Sequence, residues 1–104
     1  MKANSDSKKE VQQTFLNVVT SDGAVHLLPY GHLVHVQFTE TNKDGISHLI
    51  EMRFAIHTVY IEGSGLHGLL DKIQNMTLVS VAKGAKGEKG NVTKVRVIDR
   101  SEKN

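Results

Sequence analysis

At 104 residues, with 38% hydrophobic and 23% charged residues, the chain has the balance of one small globular domain, not of a disordered segment. It has no cysteine, which excludes disulfides and thiolate metal sites, and no run approaching the roughly 18 apolar residues of a membrane helix. The net charge of +2 is uneven: residues 83–104 carry +4 and residues 1–82 carry −2.

The opening MKANSDSKKE lacks the apolar stretch of a signal peptide, so a cytoplasmic location is expected. Residues 1–12 have no apolar period and are expected to be a disordered tail. A single β-rich domain should span residues 13–99, with residues 100–104 frayed. Phe15, Leu16, Val18 and Val19 form a first β-prone run, stopped by Ser21-Asp22-Gly23. Asp-Gly marks a hairpin turn because glycine tolerates positive φ. Residues 24–28 supply the return strand. Pro29 has no N–H to give a ladder, so a bend is expected over residues 29–31.

Val34, Val36 and Phe38 alternate with His35, Gln37 and Thr39, the period of a half-buried strand. A polar turn over residues 41–45 ends in Asp44-Gly45. Ile46, His48, Ile50, Met52, Phe54 and Ile56 then alternate in turn. If Glu40 pairs with Ile46, Phe38 faces His48, Val36 faces Ile50 and Val34 faces Met52. On the other face His35 meets Glu51 and Leu33 meets Arg53. The alternation breaks at residues 55–57, where a bulge or bend is expected, and Val59 and Ile61 continue in the opposite parity.

Leu66, Leu69, Leu70 and Ile73 recur at i, i+3, i+4 and i+7. This predicts a helix over about 65–74, with Ser64 as N-cap and Asn75 as a left-handed stop. Residues 76–82 are again β-prone, and residues 84–91 form a glycine-rich loop. Residues 92–98 make a last strand, with Lys94 and Arg96 on one face and Val95 and Val97 on the other. Seven strands and one helix predict an α+β, mainly β fold. The expected form is an antiparallel meander curled into a small barrel-like or rolled sheet, with the helix packed on it.

Few patterns carry chemistry. Residues 63–68 match G-x-G-x-x-G between a strand and a helix, so Gly63, Ser64 and Gly65 are candidates for holding an anion on free N–H groups. A dinucleotide site is disfavoured, because the preceding strands are hairpins and Glu88 lies in a loop. Six histidines (His26, His32, His35, His48, His57 and His67) show neither H-x-x-x-H nor H-E-x-x-H spacing, so no metal site is expected. His48 reads as a hydrogen-bonded core or rim histidine. His35 opposite Glu51 reads as a surface pair and not as an acid–base couple. No G-x-S-x-G or Ser-His-Asp arrangement exists, so neither catalysis nor a cofactor is expected.

The basic end offers Lys83, Lys86, Lys89, Lys94, Arg96 and Arg100 as phosphate-neutralising groups, without interleaved aromatics for base stacking. The leading expectation is a non-catalytic interaction or assembly module that self-associates into a homo-oligomer. Several strands carry apolar residues on both faces, as in residues 15–19 and at Leu49 beside Ile50, and one small helix cannot cover both. Nucleic-acid (RNA) binding through residues 83–100 is the alternative, and weak anion or nucleotide binding at residues 63–68 a third. No membrane or disulfide partner is expected.

Overall fold

The computed structural model describes residues 11–41, 47–84 and 91–99. Within the described residues, seven strands and one α-helix follow in order: β1 (Phe15–Val19), β2 (Val25–Pro29), β3 (Leu33–Thr41), β4 (Ser47–Phe54), β5 (His57–Ser64), α1 (His67–Gln74), β6 (Ser80–Ala82) and β7 (Asn91–Asp99). A single 3-10 turn, Tyr30–His32, links β2 to β3 where the bend after Pro29 was expected. Residues 1–10 of the expected tail, residues 42–46 with most of the expected turn, residues 85–90 of the expected glycine-rich loop and the expected frayed end at 100–104 lie outside the described residues.

The fold is mainly β with one short helix, but the strands form two sheets instead of one curled meander. Their orders are β2-β1-β6 and β3-β4-β5-β7. Only β3-β4-β5 is a true meander, and no closed barrel forms among the described residues. The reason is α1, which carries the chain from the second sheet back to the first. There β6 enters beside β1 in the same direction, with Val18 against Val81. Of the β-prone run 76–82, only Ser80–Ala82 becomes strand. Residues 76–79 are instead tied down by backbone bonds: Gln13 N–H donates to the Met76 carbonyl at 2.8 Å and Asn17 N–H to the Val79 carbonyl at 2.9 Å.

The β3–β4 register differs from the counted one by two. Phe38 pairs with Ile50, Val36 with Met52 and Glu40 with His48. The loop keeps five residues but moves one position along the chain, because Thr41 pairs with Ser47 and their hydroxyls meet at 2.8 Å. A shift of two preserves the faces, so the apolar side remains inward. It does dissolve the expected His35–Glu51 pair: His35 faces Arg53, and Glu51 faces Gln37 and Tyr60. A bulge between Leu33 and His35 also turns Val34 out of the ladder, leaving it 68% exposed instead of opposite Met52. The break at residues 55–57 is a full reversal, with Ala55 and Ile56 linking β4 to β5.

The helix starts two residues later than the apolar stripe suggests. Ser64 is still in β5, opposite Asn91, and makes no cap. The stop is also displaced: Asn75 is right-handed (φ −91°, ψ −2°), and Met76 takes the left-handed conformation at φ 59°. Thr77 N–H donates to the Lys72 carbonyl at 2.9 Å and Met76 N–H to the Ile73 carbonyl at 3.0 Å, which is a Schellman closure. Leu66, Leu69 and Ile73 are buried and Leu70 is half-buried against the core. Each full burial contributes roughly 1.5–3 kcal/mol.

Those helical side chains join Leu16, Val18 and Leu28 of the first sheet and Ile50, Met52, Phe54, Val59 and Ile61 of the second in one core. Two backbone links fasten the sheets near β7. Ser21 N–H donates to the Val95 carbonyl at 3.0 Å, and Gly84 N–H to the Val92 carbonyl at 2.7 Å. No helix among the described residues is long and apolar enough to cross a membrane.

Candidate interaction surfaces

The glycine-rich entry to α1 is shaped by one close approach and one left-handed turn. At Gly63 a Cβ would overlap the Asn91 carbonyl, so β5 and β7 can lie this close only with glycine there. Gly65 has φ 63°, a left-handed turn that lets the chain leave β5 for the helix. The Leu66 N–H at the helix start donates to His48 Nδ1 at 3.0 Å. His48 is buried, as the sequence reading placed it. Accepting at Nδ1 puts its proton on Nε2, which faces Glu40 Oε1 at 3.9 Å. Phe38 and His67 complete a ring cluster around it, with centroids 4.8 and 4.9 Å from the imidazole. Among the described residues, the open cleft beside Gly63 and Ser64 is lined by Glu62 and by no Lys or Arg. No group of three or more His, Asp or Glu among the described residues is placed to hold a metal ion.

Of the six basic candidates, Lys83, Lys94 and Arg96 are described and exposed, while Lys86, Lys89 and Arg100 lie outside the described residues. Lys94 and Arg96 share the outer face of β7, as the alternation predicts. They do not form a pure cationic patch. Lys94 is opposite Glu62, and Arg96 sits 4.0 Å from the Glu62 carboxylate and 4.8 Å above the Tyr60 ring. Arg53 and Glu51, 4.0 Å apart, continue the mixed charge on β4.

The first sheet is different in kind. Its strands read FLNVV, VHLLP and SVA, without one formal charge, in a chain that carries 13 basic and 11 acidic residues. Leu16, Val18, Leu28 and Val81 fill the inner face. On the outer face Phe15 is 44%, Val25 66% and Leu27 56% exposed. The pairs Val19–Val25 and Asn17–Leu27 set these side chains side by side. Among the described strands none pairs with the far edge of β2.

Val25 and Leu27 were missed by hydropathy alternation, because Leu27 and Leu28 are adjacent and of equal weight. A usable signal was present: residues 23–39 contain no Asp, Glu, Lys or Arg. Comparison with known protein families, with characterised proteins and with solved structures gives no match.

Proposed function

We propose that this chain is a non-catalytic assembly module, acting in the cytoplasm, that associates with further copies of itself through the β2-β1-β6 sheet. The carrying observation is the exposure of Phe15, Val25 and Leu27 on one uncharged sheet that ends in a free edge. An apolar face of this kind on a small domain serves an interface, and an uncharged edge strand is a template for pairing. Sedimentation at micromolar concentration tests the reading. The full chain should sediment as a dimer or larger. Leu27→Lys, which adds a charge to an exposed position, should sediment as a monomer and keep the far-UV circular dichroism of the unmodified chain, losing only the stability that association adds. A sharp monomer for the unmodified chain overturns the reading.

RNA binding by the basic end is the lesser proposal. It is supported by the exposure of Lys83, Lys94 and Arg96, and by the Tyr60 ring beside Arg96. Removing residues 83–104 would be a poor test, since β7 buries Val92 and Val95. Lys94→Ala with Arg96→Ala is the suitable variant, and filter binding at low salt should weaken if the reading holds. An anion at Gly63, Ser64 and Gly65 would have to bind beside Glu62, and no further observation favours it.

A further inference from the structure

Resting on the self-association reading, we propose that two copies join edge to edge through β2, antiparallel about a twofold axis at His26. The pairing would build one continuous six-stranded sheet. The backbone directions of β2 come from its bonds to the neighbouring strand. Thr20 N–H donates to the Ala24 carbonyl at 2.8 Å, and Tyr30 N–H to the Thr14 carbonyl at 2.9 Å. In an antiparallel pair, bonded and non-bonded positions alternate. The even-numbered residues of β2 therefore bond to β1, and Val25 and Leu27 direct their N–H and C=O groups to the free edge. Pro29, the next outward position, has no N–H.

This edge matches itself. About His26, Val25 of one copy exchanges both backbone bonds with Leu27 of the second, and Leu27 with Val25, so every outward group between them is paired. About Leu27 instead, Val25 would meet Pro29, and the Val25 carbonyl would lose its partner inside the ladder. The His26-centred register also sets Val25 beside Leu27 of the second copy on the outer face, extending the Phe15 surface across the axis. Charge selects the occupant. The sheet has no formal charge, so a second copy meets no like charge, while an acidic or basic partner would find no counter-charge there. Of the other three edge strands, β6 lies against β7, and β7 already accepts backbone bonds from Ser21 and Gly84, while β3 carries Glu40 and the Val34 bulge, both of which discourage strand addition.

Disulfide trapping tests the register against a clean background, since the chain has no cysteine of its own. In the proposed dimer the two copies of residue 26 form a directly facing, non-bonded pair. Their Cα atoms lie about 4.5 Å apart, within disulfide reach. Oxidised His26→Cys should migrate as a covalent dimer on a non-reducing gel, at least tenfold more than Leu27→Cys. A second variant tests the edge without a cross-link. Val25→Pro removes an N–H that β1 does not use, so it should keep the far-UV circular dichroism of the unmodified chain yet sediment as a monomer, losing only the stability that association adds. Preferential trapping of Leu27→Cys overturns the register. Failure to trap His26→Cys, with Val25→Pro still associated, overturns edge pairing while self-association stands. A monomeric unmodified chain removes both.

Discussion

Burial pushes the Tyr30 phenol up to about 12, and its hydroxyl donates to the Leu78 carbonyl at 2.8 Å. A phenol raised above its unfolded value of about 10 adds stability that is fully present below pH 10 and lost as the pH rises towards 12. Tyr30→Phe leaves the buried Leu78 carbonyl without that donor, at a cost of about 1–3 kcal/mol. Urea melts at pH 8 and pH 11 should show the variant weaker at pH 8 and the gap narrowing at pH 11. The first hairpin turn behaves in the opposite sense. The Thr20 hydroxyl and then the Ala24 N–H hold the Asp22 carboxyl below the ordinary carboxylate range. Its contribution is present above that range and lost as the pH falls through it. Asp22→Ala should therefore lower the melting temperature at pH 7 and leave it unchanged near pH 2. Gly63 allows no such graded change. In Gly63→Ala the new methyl overlaps the Asn91 carbonyl, and prying β5 from β7 costs about 2–3 kcal/mol, readable as a lower urea midpoint.

At the scale of elements, the end of α1 separates what is legible in sequence from what is not. The stripe Leu66, Leu69, Leu70 and Ile73 announces a helix because its period is written in side-chain type. The stop is set by backbone closure, which side-chain type reports poorly. Asn75 looked like the left-handed residue, yet Met76 holds φ 59°. A non-glycine residue there costs about 1–2 kcal/mol, and the entropy of an unfolded glycine takes back about 0.4–1 kcal/mol. Met76→Gly should thus raise stability by up to about 1.6 kcal/mol in urea melts, and Asn75→Gly should give no gain. The β3–β4 pairing follows the same division. Alternation fixed its faces, but loop placement fixed its register, and the Thr41–Ser47 contact that moved the loop is invisible to hydropathy. The parallel β6 was beyond reach for a further reason. Its partner β1 lies more than sixty residues away, and no local pattern records a long-range pairing.

At the scale of the whole molecule, charge divides the surface in a way that makes the competing functions separable by salt. The second sheet alternates Glu51, Arg53, Glu62, Lys94 and Arg96 on its outer face, so what it binds through those groups is weakened by screening. The first sheet has no formal charge to screen. Burying Phe15, Val25 and Leu27 in the proposed interface would be driven by the exclusion of apolar surface from water, which salting-out ions strengthen. Self-association through this sheet should therefore hold steady, or tighten, as sodium sulfate is raised. Binding to a polyanion should instead fall steeply with salt, in proportion to the number of phosphates neutralised. Sedimentation of the full chain across a salt series, alone and with a labelled RNA, reads both. An oligomer that dissociated on adding salt would instead place the proposed interface on the charged sheet, with β2 uninvolved.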